Sequence, residues 1–337
     1  MDVRLRDVAE RAAVSVKTVS NVVNGSPRVA PDTRSRVQQV IEELGYRPNL
    51  SARHLRQGRT GTIAFAVPDL NVPYFSELAS SVIAEAKQRS VTVLIEDTGG
   101  DRAMESTIAQ GFSSSLIDGV ILSPLALRRA DLARTGRVPL VLLGERDYAK
   151  AIDHVVIDNV AAAREATTHL LELGRNRIAV IGVDDQETGR QRVIGYREAL
   201  AARGIPAEAE LMPVTGGFTR AAGAEVMRRL LALPEPPDAV FCFNDLLALG
   251  AQRVLLASGR RVPGDVAIVG FDDIEDGRYA TPSLTTVAPD KTQIARLAVT
   301  LLLDRIETAE PGRQPVLAQA GHELVIREST SANRTKE

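Results

Sequence analysis

The 337-residue chain has one cysteine, no tryptophan and four histidines. A single cysteine excludes an intramolecular disulfide. Cys242 sits in the apolar run `AVFCFND`, where a buried thiol is expected rather than a reactive one. The histidines His54, His154, His169 and His322 show no metal-ligand spacing, and neither HExxH nor CxxC occurs, so no metal site is read. There is no GxGxxG and no GxxxxGK, so nothing supports a nucleotide fingerprint or P-loop, and no cofactor is expected. Carboxylates in `VGFDD` and `FCFND` lack a nucleophile–base pair, which argues against an enzyme. No apolar run approaches the roughly 20 residues needed to span a bilayer. The opening `MDVRLRDVAE` is charged too often for a secretory signal, so a cytoplasmic protein without a membrane partner is expected.

What is present is distributed unevenly. Residues 1–60 hold 11 Lys/Arg against 6 Asp/Glu, and the remainder holds 30 against 37. A basic head on an acidic body suggests that the head meets a polyanion which the body avoids. The length exceeds one typical domain, so two or three units are expected.

Three short helical patterns occupy the head. Leu5, Val8, Ala9 and Ala12 fall at helical spacing, as do Val16, Val19, Ser20 and Val23, with Ser15 placed as N-cap of the second helix. `NGSP` marks a turn. A third helix is predicted from about Asp32 to Leu44, stopped by Gly45, with Pro48 fixing the exit. Two helices with a tight link, the second short and exposing small polar and basic residues, describe a helix-turn-helix. Its second helix enters the major groove with its N-terminal residues at base edges. Val16, Lys17 and Asn21 would then face bases: Lys17 donates to guanine acceptors and Asn21 pairs with adenine. Ser15, Thr18, Ser20, Asn24, Thr33 and Arg34 are candidates for backbone contacts, which position without reading sequence. A three-helix packing module with solvated polar residues remains the alternative on pattern alone.

From Gly61 the period changes. `TIAFAVPD`, `VTVLIED`, `DGVILSP`, `VPLVLLGE`, `HVVIDN`, `NRIAVIG`, `DAVFCFND` and `VAIVGFDD` are near-continuous apolar strands. They alternate with helical stretches near 74–89, 103–115, 161–173, 189–203, 218–232 and 245–258. This predicts parallel sheets covered on both faces, in two successive sets. Ligands of such sheets bind beyond the carboxyl ends of the strands. Asp69, Glu145, Arg146, Asp158, Asp184, Asn244, Asp245, Asp272 and Asp273 collect there. A binding cleft between two lobes is the expectation.

The head `DVAERAAVSVKTVSNVVN` resembles the motif `DVA…AGVS…TVSRVLN` of the LacI/GalR family of bacterial transcription regulators, with Ala13 where glycine is usual and Asn21 where arginine is common. The alanine is expected to be tolerated if its position lies in a helix-compatible turn. `PDLNVPYFSEL`, `QRVIGYREAL`, `CFNDLLALGAQRVL` and `VPGDVAIVGFDD…YATPSLTTV` carry the resemblance through the body. It implies an α/β body of two doubly wound, periplasmic-binding-protein-like lobes behind an all-α helix-turn-helix headpiece. The implied divisions are a headpiece at 1–46, a hinge helix and linker at 47–60, an N-terminal lobe at 61–158 and 288–317, a C-terminal lobe at 159–287 and 318–330, and a tail at 331–337. Family hinge helices pair across a dimer and enter the minor groove; Leu55 matches the wedging leucine and Ala52 the small residue that allows close approach. A segment this short is marginal as a helix by itself.

The resemblance makes Arg192, Asn244 and Asp272 effector contacts and Phe218 an aromatic over a ligand ring, with Tyr74 and Phe75 where the first lobe reaches the pocket. Arg146, from the strand-end set, joins these candidates. Other roles stay open: Asp272 capping its turn, Arg192 pairing with Asp184 or Asp185, Phe218 in the core. An aromatic with carboxylate, guanidinium and amide suits a neutral polyhydroxylated ligand, so a sugar is expected, with a purine or nucleoside next. The implied protein is a regulator of double-stranded DNA, a repressor and a homodimer on a pseudo-palindromic operator, since `TSANRTKE` is not the leucine-heptad tail of the family's tetramers. The resemblance implies that much of the dimer interface comes from the helix near 74–89 and from `SLTTVAPDKTQIARLAVTLLLDRI`. A phosphoprotein co-regulator, as docked by relatives resembling the carbon catabolite control regulator, stays open.

Overall fold

The computed structural model describes residues 3–23, 26–46, 59–111, 116–132, 138–145, 152–308 and 312–331. It divides into two units, Met1–Gly61 and Thr62–Glu337. In the first, α1 (Leu5–Arg11), α2 (Val16–Val23) and α3 (Pro31–Leu44) close on a core of small residues: Val8, Ala9, Ala12, Val19, Val22, Val37 and Val40, with Tyr46. The Ser15 hydroxyl accepts the Thr18 N–H at 3.0 Å, as the cap reading requires. Pro31 opens α3 and Gly45, at φ +62°, ends it. Val19 and Val22 are buried while Val16 is 48% exposed. A two-turn helix lodged between α1 and α3 turns only its middle toward the core and leaves its first residue outside.

The second unit contains two sheets. β1 (Thr62–Val67), β2 (Thr92–Asp97), β3 (Gly119–Leu122), β4 (Leu140–Leu143), β5 (Asp153–Ile157) and β10 (Leu317–Ala320) form the first, in the order β10-β5-β4-β3-β1-β2. Every pairing in it is parallel. β6 (Ile178–Ile181), β7 (Ala239–Cys242), β8 (Ala267–Phe271), β9 (Thr285–Pro289) and β11 (His322–Val325) form the second, in the order β11-β9-β8-β7-β6. There only β11 runs antiparallel, against β9. The central strands are buried on both faces, which is why they read as unbroken apolar runs. β2 alternates because it is an edge.

Helices α4 (Pro73–Gln88), α5 (Arg102–Ala109) and α6 (Arg129–Leu132) serve the first sheet. The stretch expected as helix over 103–115 ends instead at Ala109, where Gln110 leads into Gly111 at φ +76°. The second sheet carries α7 (Asn159–Glu172), α8 (Glu187–Ala201), α9 (Arg220–Leu231), α10 (Asp245–Ala257) and α11 (Glu275–Arg278). The last helix, α12 (Lys291–Thr308), follows β9 of the second sheet but packs on α4, β3, β4 and β5 of the first lobe. The chain therefore passes between lobes three times: after β5, after β9, and at Gly321 between β10 and β11. Close packing is visible in α8, where a Cβ on Gly195 would lie 2.2 Å from the Val160 carbonyl of α7. Among the described residues no helix is long and apolar enough to cross a membrane.

A buried ion pair fixes the first lobe's far edge. The Arg305 guanidinium of α12 forks onto Asp153 of β5, Nε to Oδ2 at 2.6 Å and Nη2 to Oδ1 at 2.8 Å. Oδ1 also accepts the Val316 N–H at 2.7 Å, which seats β10. Asp153 is buried. Asp153→Ala removes the guanidinium's carboxylate while leaving its bonds to the Arg313 and Gln314 carbonyls, and strands the Val316 N–H, so it is expected to cost about 2–4 kcal/mol of stability in urea unfolding. An unchanged midpoint would contradict the account.

Candidate functional site

Two sites emerge, one in each unit. In the first unit, α2 presents Val16 and Lys17 exposed and Asn21 half-exposed, on the side away from Val19 and Val22. These are the three residues expected at base edges. Of the backbone candidates, the Ser15 hydroxyl is shared with Thr18 Oγ1 at 2.8 Å, so the pair caps α2 as well as facing out. Ser20 and Thr33 are half-exposed. Arg34 is partly engaged inside the unit, its guanidinium donating to the Ser26 carbonyl in the turn between α2 and α3. Asn24, Ala52 and Leu55 lie outside the described residues. Ala13, in the α1–α2 link, departs from expectation: it stands at φ +50°, in the left-handed region. The link is not helix-compatible, and a Cβ there is a cost that glycine avoids.

In the second unit, the candidates meet beyond the carboxyl ends of the strands. Arg192, on the inner face of α8, is buried. Its Nε donates to Asn159 Oδ1 at 2.7 Å and its Nη1 to the Phe243 carbonyl, while its carbon centre lies 3.4 Å from the Phe271 ring centroid. The structure gives it these partners rather than a bond to Asp184 or Asp185. Among the described residues these hydrogen bonds use two of its five donors. Asn244 caps α10, its Oδ1 accepting the Leu247 N–H at 2.8 Å and its Nδ2 donating to the Phe218 carbonyl at 3.2 Å. One lone pair and one N–H remain. Phe218 is half-buried and packs partly against the core, so both readings of it apply.

Asp272 is the half-buried end of this network. It follows β8 and stands at φ +113°, with Asp273 at φ +48°. Among the described residues nothing donates a hydrogen bond to the Asp272 carboxylate, and it does not cap the following turn. The Ile274 N–H goes instead to buried Asp245, at 2.9 Å. Burial pushes the Asp272 carboxyl up to about 7, against the pull of Arg192 and Lys291 and with the help of Glu77 and Glu145. Arg192 is shifted down, first by burial, with Asp272, Glu145, Tyr74 and Asp184 opposing. Burial holds the Tyr74 phenol neutral, reinforced by Asp272 and Glu145. Tyr74 comes from α4 of the first lobe, so these couplings bring both lobes to one place. Phe75 meets Tyr74 edge-on at 5.2 Å and packs against the core behind it. Arg146 lies outside the described residues.

Sequence reasoning left four participants out of the candidate set. Glu145 stood among the strand-end residues but had no assigned role; it receives the Thr188 hydroxyl at 3.0 Å across the lobes. Asn159 follows Asp158 of the same set. Lys291, 5.8 Å from the Tyr74 ring centroid, and Glu77 gave no local signal.

A helix-turn-helix unit followed by two doubly wound lobes, with convergent polar groups where the lobes meet, defines a ligand-binding DNA regulator. Comparison with known proteins agrees. Residues 4–49 match the model of "Bacterial regulatory proteins, lacI family" and residues 167–330 that of "Periplasmic binding protein-like domain". The chain is 35% identical to the HTH-type transcriptional repressor CytR of Escherichia coli (strain K12) over 97% of its own length and 96% of that protein. It superimposes on a CelR–cellobiose complex with TM-score 0.71 at 36% identity, covering 97% of this chain and 99% of that one. The lac repressor dimer bound to operator and the anti-inducer ONPF gives TM-score 0.76 at 27% identity, covering 98% and 100%. The chain belongs to the lacI family: it is a sequence-specific DNA-binding transcription regulator.

Two measurements follow from this geometry. Ala13→Gly relieves a left-handed alanine and is expected to stabilise the headpiece by about 1 kcal/mol, read as a shift in its own unfolding transition. Asp272→Asn tests the raised carboxyl. A group whose folded pKa is raised contributes stability that is fully present below its unfolded pKa and is lost as pH rises through the folded value. Asp272→Asn should therefore match wild type in melting temperature only below about pH 4, gain on it as the pH rises, and exceed it by the full margin above about pH 7. Asp245, whose carboxyl is raised first by burial and then by Asp272, acts in the same sense. A gap that is constant across this range would remove the raised carboxyl from the account.

Proposed function

We propose that the chain is a repressor that binds a partly palindromic duplex operator as a homodimer and responds to a sugar held between the two lobes. The observation that carries the ligand reading is the unbonded Asp272 carboxylate beside the half-committed Arg192 and Asn244, with Tyr74 opposite. A carboxylate acceptor, guanidinium and amide donors and an aromatic face suit vicinal hydroxyls on a ring. The cellobiose named for the similar CelR structure supports a sugar. The lac repressor dimer on its operator supports two-fold reading of DNA, since one headpiece spans too few base pairs to specify a long site. In this reading Val16, Lys17 and Asn21 meet bases. Ser15, Thr18, Ser20, Asn24, Thr33 and Arg34 meet the backbone, and Ala52 and Leu55 serve the minor groove.

Selection of genomic fragments by the full-length protein would yield the operator. A thermal-shift series with cellobiose, other sugars, polyols, nucleosides and purines would yield the effector. Recovery of no preferred fragment would defeat the DNA reading; a nucleoside hit with no sugar hit would replace the sugar. On the recovered operator, Lys17→Ala is expected to lose about 1–3 kcal/mol of preference over a scrambled duplex. Equal losses on both duplexes, in quantitative gel shifts, would move Lys17 from base reader to backbone contact.

A further inference from the structure

The turn that carries Asp272 is held from two sides. Within the second lobe, Asp273 is gripped through its carboxylate by Arg278 Nη2 at 2.6 Å and Arg327 Nη2 at 2.6 Å. From α4 of the first lobe comes Glu77. It accepts the Glu275 N–H on Oε1 at 3.2 Å and the Lys291 ammonium on Oε2. Lys291 then reaches back to the Asp273 carbonyl at 3.1 Å. Glu77, Lys291 and the 273–275 backbone thus form a closed ring of bonds across the lobes, among residues 198 and 214 positions apart.

Three features separate this ring from an incidental surface pair. The Lys291 side chain is only 12% exposed and Glu77 33%, so the pair is sheltered from the screening that makes most surface pairs worth little. Lys291 is the first residue of α12, at the passage where the chain leaves the second sheet for the first lobe, so its backbone sits at a pivot. The ring also begins at Asp273, the second of two consecutive non-glycine residues at positive φ, a conformation that persists only where its surroundings over-determine it.

We propose that the Glu77–Lys291 pair of the first lobe forms an interlobe latch, gripping the 273–275 backbone of the second lobe through the Glu275 N–H and the Asp273 carbonyl, so that cleft occupancy and lobe orientation act on the same two bonds. The link to occupancy rests on the reading of the cleft as an effector site. The latch itself does not. Rotation of one lobe against the other must stretch or break the ring, because its two halves belong to different lobes. Glu77 and Lys291 are positioning residues; neither needs to touch the ligand.

The test is hydrogen–deuterium exchange on the full-length protein without ligand, followed in a peptide covering 274–279 and in one covering β7 as an internal control. Lys291→Met and Glu77→Ala are each expected to speed exchange in 274–279 about ten-fold while leaving β7 unchanged, because only the local opening is made easier. The double variant is expected to exchange no faster than either single, since each substitution already opens the same ring. Lys291→Arg, which keeps the cation, is expected to stay near wild type. Additive effects in the double variant, wild-type exchange in Lys291→Met, or equal acceleration in β7 would each overturn the latch. Cellobiose then supplies the second arm. A change in 274–279 exchange on its addition to wild type, absent in Lys291→Met, is expected. Unaltered exchange in both proteins would overturn the link to occupancy for this probe, and with it the sugar reading if no other sugar shifts the melting temperature. The ligand-free result would stand.

Discussion

The site depends on the backbone at Asp272 and Asp273 standing at φ +113° and +48°, a geometry that side-chain-bearing residues resist. Such conformations cost on the order of 1–3 kcal/mol each and need external support. The support is specific. Buried Asp245, the first residue of α10, accepts the Ile274 N–H on one oxygen and the Thr286 hydroxyl on the other, at 2.6 Å. It also explains the glycine of `VGFDD`: a Cβ on Gly270 would lie 2.1 Å from Asp245 Oδ1. Arg278 and Arg327 hold Asp273 so well that its carboxyl falls below its ordinary range despite burial, while its neighbour, without such donors, is raised. Adjacent aspartates thus differ in surroundings: Asp273 anchors the turn, and the Asp272 carboxylate receives no hydrogen bond among the described residues.

How much of this was legible depends on whether a feature leaves a periodic trace. Strands buried on both faces do, and β1, β3, β4, β7 and β8 fall within the apolar runs that predicted them. Caps do as well: Ser15 and Gly45 act as their residue types imply. Arg192, Asn244 and Asp272 were singled out by resemblance, and the structure brings them together. Asn159 and Phe243 hold Arg192 from 33 and 51 positions away, and Lys291 finds Glu77 over 214. Pairings of that kind follow from how the sheets stack, and no window of sequence contains both partners. The α1–α2 link is illegible in the sequence for another reason. A residue's φ is set by the angle between two helices, which alanine at position 13 does not disclose.

The headpiece shows how little its fold has in reserve. Apart from Tyr46, its buried core is built of valine and alanine, and a domain of this size buries a small share of its surface. In that setting one left-handed alanine is a sizeable fraction of the total. The same economy leaves α2 free to expose Val16 and Lys17, because two valines suffice to seat it.

For the cleft, the distribution of partners between lobes decides which contacts can switch and which only bind. A ligand shifts an equilibrium between lobe orientations only by its difference in affinity for them. Arg192 is fixed by Asn159, Phe243 and Phe271, and Asn244 by Leu247 and Phe218, all from the second lobe. These side chains offer a ligand the same donors whichever way the first lobe is turned. In the proposed reading their hydrogen-bond geometry supplies affinity and little discrimination. Discrimination must come from groups whose surroundings straddle the lobes: Tyr74 on α4, Glu145 bonded to Thr188, and Asp272, whose field contains Lys291 and Glu77. Substitutions in the first set are therefore expected to weaken a ligand equally in both orientations. Substitutions in the second change the ratio of the two, which is the quantity that coupling to DNA reads.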